Sequence, residues 1–78
     1  MDNIEIGKLI RKARKERKIT QEELAKRSGL SRATIVSIEK GRIGSLSFAS
    51  VLSVLRIVGY DINIEKFNPF KKVVSDDR

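Results

Sequence analysis

Apolar residues recur at intervals of three and four along the first sixty residues of the chain, which is the period of an amphipathic helix. This pattern predicts four helices, at residues 4–17, 21–28, 32–40 and 48–58. In the first helix the apolar stripe consists of Ile6, Leu9, Ile10 and Ala13. The second and third helices are too short to persist alone in water, so they depend on burial of one face.

Residues that satisfy free backbone groups mark where these helices start and stop. A hydroxyl residue precedes each of the last three helices, where its oxygen can accept from a first-turn N–H. These residues are Thr20, Ser31 and Ser47. Glu23 stands three residues after the first of them, which predicts a reciprocal capping box. Gly29 and Gly41 follow the second and third helices, as expected for left-handed residues that end a helix.

A different period begins after the fourth helix. In residues 60–67, Tyr60, Ile62 and Ile64 alternate with polar residues, which is typical of a half-buried β-strand. No other strand is predicted, so we expect antiparallel pairing with the same segment of a second copy, with these three as dimerisation residues. The alternative is an extended segment that lies on the chain's own helices. Residues 68–78 are expected to form a flexible tail.

The second and third helices are separated by a short link that contains a glycine, which is the helix-turn-helix arrangement. In such a unit the N-terminal part of the second helix enters the major groove of DNA. Arg32 opens that helix, and its guanidinium can donate to N7 and O6 of a guanine. Ala33 is short enough to approach a thymine methyl group, and Ser37 lies one turn further on. Arg32, Ala33 and Ser37 are therefore the predicted base-reading residues.

Phosphate contacts are expected from residues that flank the reading helix. Gln21 opens the preceding helix, where free N–H groups and the helix dipole favour an anion. The predicted phosphate-binding residues are Gln21, Ser31, Thr34, Lys40 and Arg42. Capping is the simpler role of Ser31. Arg14 and Glu39 are predicted to form a structural ion pair between the first and third helices.

The distribution of charge agrees with a polyanionic partner. The net charge is +7, and residues 1–42 hold 12 Lys and Arg against 6 Asp and Glu. A well-solvated surface would look similar, and the basic outer face of the first helix also has a weak likeness to membrane-surface helices. The basic half lacks aromatic residues, so it offers no stacking platform for RNA.

Other function classes find little support in the composition. The chain has no cysteine and no histidine, which argues against disulfides, against the commonest metal sites and against the commonest general base. We expect no enzyme activity, no cofactor and no metal. No apolar run approaches the ~20 residues of a membrane span, and the opening residues lack the order of a signal peptide. A location in the bacterial cytoplasm, at the nucleoid, is expected.

The run TQEELAKRSGLSRATIVSIEKGR, preceded by IGKLIRKARKERK, resembles the Cro/cI-type (XRE) helix-turn-helix family over residues 4–59. The resemblance implies a mainly α, lambda-repressor-like domain of four to five helices at residues 1–59. It also implies that Gln21 contacts phosphate and that Arg32, Ala33 and Ser37 read bases.

The segment VGYDINIEKF is similar to the C-terminal strand of the HipB-type antitoxins. This resemblance implies a dimeric repressor that binds a palindromic double-stranded operator and autoregulates its own operon. It further implies a HipA-type serine/threonine kinase toxin as partner. A stand-alone repressor or a restriction-modification controller protein of the same fold is the alternative, because residues 4–59 do not separate these classes.

Overall fold

The computed structural model describes residues 1–66, and these residues form four α-helices joined by short loops. In chain order the helices are α1 (Asn3–Glu16), α2 (Gln21–Ser28), α3 (Arg32–Glu39) and α4 (Phe48–Ile57). The mainly α fold is confirmed, and each helix end lies within one residue of its predicted position. Residues 67–78, with the tail predicted at 68–78, lie outside the described part of the chain.

The four helices pack around one apolar core. α2 contacts both α3 and α4, and α1 packs against α3. The fully buried side chains are Ile10, Leu24, Ile35, Ile38, Val54 and Val58. Burial of an aliphatic side chain of this size contributes about 1.5–3 kcal/mol. That burial stabilises α2 and α3, which have eight residues each and would not persist as isolated helices.

A side-chain cap begins each helix of the described chain. The three hydroxyl caps predicted from the sequence are formed, and each accepts a hydrogen bond from the backbone nitrogen three residues later. The donor–acceptor distances are 3.0 Å at Thr20, 3.1 Å at Ser31 and 3.1 Å at Ser47. A cap of this kind stabilises a helix by about 1 kcal/mol.

The capping box predicted at Glu23 is only half formed, because the carboxylate of Glu23 accepts from Arg27, 2.5 Å away and one turn along α2. A complete box begins α1 instead. The side chain of Asp2 accepts from the N–H of Glu5 at 2.8 Å, and the Glu5 carboxylate accepts from the N–H of Asp2 at 2.9 Å. This box starts α1 at Asn3, one residue before the predicted start.

α1 crosses the C-terminal end of α3 at a glycine. A Cβ atom at Gly7 would lie 2.4 Å from the carbonyl oxygen of Ile38 and 2.9 Å from that of Glu39. Both obstacles are backbone atoms, so a larger residue would push the helices apart. Gly41, with φ +84°, also lies close to α1, since a Cβ there would be 2.9 Å from the Cα of Ile4. These two close backbone contacts pack the C-terminal end of α3 against α1.

The C-terminal end of α4 meets the end of α1. The guanidinium of Arg17 donates from Nε to the carbonyl oxygen of Val58 at 2.8 Å. Gly59 follows with φ +100°, and a Cβ atom there would lie 2.1 Å from Nη2 of Arg17. A residue with a Cβ would therefore be strained at this position, mainly because of its positive φ.

Residues 60–66 form neither helix nor strand in the described chain. Tyr60 is 43% exposed, Ile62 38% and Ile64 84%. The strand predicted at 60–67 thus has no pairing partner among residues 1–66, and its pairing with a second copy stays a prediction. The alternative, in which the segment lies on the chain's own helices, fits Ile64 poorly because that side chain is almost fully exposed.

Candidate nucleic-acid interface

The two long faces of α3 have opposite character. Ile35 and Ile38 on the inner face are fully buried against the other helices. On the outer face Arg32 and Ala33 are exposed, and Ser37 is half-buried. The three predicted base-reading residues therefore all reach the surface, at the first, second and sixth positions of the helix.

A concavity of about 280 Å³ lies beside this outer face. It is lined by Ala33, Thr34, Ser37, Arg42, Ser45 and Leu46. The structure thus brings together four of the predicted site residues, whereas Gln21, Ser31, Arg32 and Lys40 do not line this concavity. Ser45 and Leu46 belong to the loop between α3 and α4. Their position in the loop that follows α3 and Arg42 is the sequence signal that could have identified them.

Ser31 and Thr34 are tied to each other at the start of α3. The Ser31 hydroxyl accepts from the N–H of Thr34 at 3.1 Å, and the two hydroxyl oxygens are 2.9 Å apart. One hydroxyl hydrogen is used between the two oxygens, so the other remains for an acceptor outside the protein. Capping and a phosphate contact are therefore compatible at this pair.

Three exposed cations surround α3. They are Arg32, Lys40 and Arg42. Within residues 1–66 none of them pairs with a carboxylate, since the ion pairs there join other residues. Lys40 also follows the last residue of the helix, where a positive charge is favoured by the helix dipole. The surface at α3 is therefore positive and carries unpaired donors.

A second basic surface lies on α1. Lys8, Arg11, Lys12 and Lys15 line a concavity of about 570 Å³ together with Glu16. Their spacing of three and four residues places them on one face of the helix. Such a stripe raises the local concentration of polyanions without selecting a sequence.

The buried residues Arg14 and Glu39 form one hydrogen-bond network with the half-buried Gln21. Nε of Arg14 donates to Oε2 of Glu39 at 2.6 Å, and Nη2 donates to Oε1 at 3.1 Å. Nη1 of Arg14 donates to the carbonyl oxygen of Ile19 at 2.9 Å. Nε2 of Gln21 donates to Oε1 of Glu39 at 3.1 Å. The predicted ion-pair residues thus meet, and they hold the predicted phosphate-binding Gln21 as well.

No helix in residues 1–66 is long and apolar enough to span a membrane. In the same part of the chain, no group of three or more His, Cys, Asp or Glu side chains is arranged to hold a metal ion.

Comparison with known proteins identifies the family. A helix-turn-helix family model matches residues 10–64. The ImmF control region 10 kDa protein of Bacillus phage phi105 is 34% identical over 74 residues, which cover 94% of this chain and 80% of that protein. An uncharacterized HTH-type transcriptional regulator of Methanothermobacter thermautotrophicus is 62% identical over 34 residues, 44% of this chain and 49% of that protein. The chain therefore belongs to the Cro/cI-type helix-turn-helix family.

Proposed function

We propose that the protein is a repressor that binds a palindromic DNA operator as a homodimer, with α3 of each copy in the major groove. One observation carries this proposal. The inner face of α3 is fully buried at Ile35 and Ile38, while Arg32 and Ala33 at its N-terminal end are exposed. The N-terminal end of the second helix is the part that a helix-turn-helix unit inserts into the groove.

The roles of the surface residues follow from their positions around α3. Arg32 donates to the acceptor edge of a guanine, Ala33 contacts a thymine methyl group, and Ser37 bonds to a base one turn along. The backbone contacts set the register and contribute affinity without reading sequence. They are assigned to Gln21, Ser31, Thr34, Lys40 and Arg42.

The segment after α4 supports the homodimer. Antiparallel pairing of two copies of residues 60–67 would satisfy their backbone groups and cover Tyr60, Ile62 and Ile64. Two copies related by a twofold axis would present their reading helices to half-sites about one helical turn (~34–36 Å) apart. The dimer bound to the operator then blocks transcription sterically.

The phage control-region relative supports a stand-alone regulator, because its similarity extends over 94% of this chain. The alternative, an antitoxin of a HipA-type kinase toxin, rests on the likeness of residues 58–67 to a HipB-type strand. A pull-down of tagged protein from its host, with nuclease present, separates the two. Recovery of a kinase-sized partner in equal molar amount favours the antitoxin, and recovery of the dimer alone favours the stand-alone repressor.

Selection of duplexes from a random library tests DNA reading directly. We expect recovery of a palindrome whose affinity falls steeply with salt, because phosphate contacts release counterions. Arg32→Ala should relax preference at one position per half-site, by about 1–3 kcal/mol of discrimination. Lys40→Ala should weaken binding to all sequences alike and reduce the salt slope by about one. Equal losses on selected and random DNA for Arg32→Ala would contradict its base-reading role.

A further inference from the structure

The carboxylate of Glu39 joins three separate elements of the fold. It belongs to the last residue of α3, and its side chain is only 4% exposed. Its two oxygens accept two bonds from Arg14 on α1 and one from Gln21, the first residue of α2. One buried group thus ties the end of the reading helix to the start of the helix that carries the predicted phosphate ligand.

The charge of Glu39 determines how the amide of Gln21 is turned. An ionised carboxylate only accepts hydrogen bonds, so the amide nitrogen and not its oxygen must face it. One Nε2 hydrogen is thereby used. The second has no acceptor within residues 1–66. The half-buried amide thus donates one hydrogen to Glu39, and its second hydrogen remains available for an acceptor outside the protein.

The first turn of α2, which begins at Gln21, also contains free backbone donors. The first N–H groups of a helix have no partner in the helix. In α2 the hydroxyl of Thr20 takes the N–H of Glu23, which leaves those of Gln21 and Glu22 unbonded by the cap. The first turn of α2 therefore carries two free backbone donors and one side-chain donor that is held by Glu39.

We infer that Glu39 is a positioning residue, which orients the Gln21 amide before DNA arrives and fixes its register relative to the reading helix α3. The inference rests on the proposed function. A free glutamine side chain would have to lose its rotamer freedom on binding phosphate, and prior orientation removes that cost. Arg14 is essential to this role, since its bidentate pairing neutralises the carboxylate that would otherwise repel a nearby phosphate.

Comparison of one substitution in two backgrounds tests the coupling. Gln21→Met removes the donor and keeps the length of the side chain. The second background is Arg14→Met with Glu39→Met, because a buried ion pair can often be replaced by an apolar pair without loss of the fold. Circular dichroism and thermal unfolding check that each variant is folded.

Affinity for a duplex selected from a random library is the readout. In the native background Gln21→Met should raise Kd about tenfold, and in the apolar background only about two- to threefold, because the amide is then no longer oriented. A methylphosphonate at the contacted phosphate should remove the native penalty. Glu22→Gln is the matched control, because it changes the same helical turn and should have the same effect in both backgrounds.

A second measurement uses the unaltered protein without DNA. Nuclear magnetic resonance should show a Gln21 side-chain amide that is rigid and exchanges slowly with solvent. A mobile, rapidly exchanging amide overturns the inference, as does an equal Gln21→Met penalty in both backgrounds. Failure of the native protein to prefer any duplex over random DNA would instead overturn the proposed function, and this inference with it.

Discussion

α3 and the segment at residues 60–66 both carry apolar residues at regular spacing, but only α3 buries them. Ile38 on α3 is 0% exposed, while Ile64 in the segment is 84% exposed. The difference lies in the available partners. The inner face of α3 meets α1 and α2 of the same chain, whereas residues 60–66 find no strand to pair with among residues 1–66. A hydrophobic pattern predicts which face seeks burial, and another element must supply the partner.

The largest difference in stability is expected when an isoleucine is replaced by alanine in each of the two regions. Ile38→Ala should lower the free energy of unfolding by about 2–5 kcal/mol, because it leaves a cavity in the core. Ile64→Ala should change the unfolding of the monomer by less than about 0.5 kcal/mol. Urea denaturation at low protein concentration measures both.

The dependence on protein concentration distinguishes pairing in a dimer from packing on the same chain. If residues 60–67 pair in a dimer, the Ile64→Ala protein loses stability relative to the parent only at concentrations where the parent is dimeric. Analytical ultracentrifugation then shows a weaker dimer for this variant. A loss at Ile64 as large as that at Ile38 under dilute conditions would mean that the segment packs on its own chain.

The second prediction concerns the crossing of α1 and α3. Gly7→Ala should lower the free energy of unfolding by about 1–3 kcal/mol, because the added carbon meets the backbone of Ile38 and cannot be accommodated by a rotamer change. Gly44→Ala is the matched control, since a Cβ there meets nothing within 4 Å. Thermal unfolding of the two variants compares them. Equal midpoints would show that the helices can separate slightly at little cost.

Much of the α-helical part was predictable because its signals are local. The side-chain caps lie three residues from the N–H groups that they satisfy. Gly29 and Gly41 directly follow the helix ends and do adopt positive φ. The end of α1 was less apparent, because the residue with positive φ there is Lys18 and not a glycine. There the side chain of Arg14 stabilises the turn by donating to a carbonyl in the following loop.

The features that sequence reasoning missed depend on distances between elements far apart in the chain. Gly7 is tightly packed only because the backbone at Ile38 crosses it. The charges of Arg14 and Glu39 suggested a pair across 25 residues, but a neutral glutamine gave no sign of joining it. The periodicity of the sequence indicated which side of α3 faces outward. The concavity that α3 shares with the following loop could not be predicted, because it depends on the tertiary fold.

The third prediction concerns Gly59, which joins α4 to the segment at residues 60–66. Gly59→Ala should lower the free energy of unfolding by about 1–2 kcal/mol, because a residue with a Cβ is strained at φ +100°. The guanidinium of Arg17 adds a steric part, which Arg17→Ala should relieve. Thermal unfolding of both single variants and the double variant separates the two contributions. If the effect of the double variant on the free energy of unfolding equals the sum of the two single effects, the Arg17 side chain moves out of the way without cost.

The smallest effect is expected at Asp61, where the exposed segment begins. The N–H of Ile62 donates to this carboxylate at 2.8 Å, and Arg56 donates at 3.2 Å. The backbone hydrogen bond, followed by the contribution of Arg56, lowers the pKa of Asp61 below its ordinary value of 3.8. The contribution of Asp61 to stability is thus present above its ordinary pKa and is lost as pH falls through the lowered pKa.

Titration of the Asp61 carboxyl by nuclear magnetic resonance connects this group to the strand prediction. In dilute protein the midpoint should lie below 3.8, and Arg56→Ala should raise it only in part, because the larger cause is the N–H of Ile62. If pairing with a second copy takes that N–H into a strand ladder, the midpoint should move back toward 3.8 as the dimer forms. A midpoint that is independent of concentration, in a protein shown to be dimeric, would mean that the ladder leaves the N–H of Ile62 on Asp61.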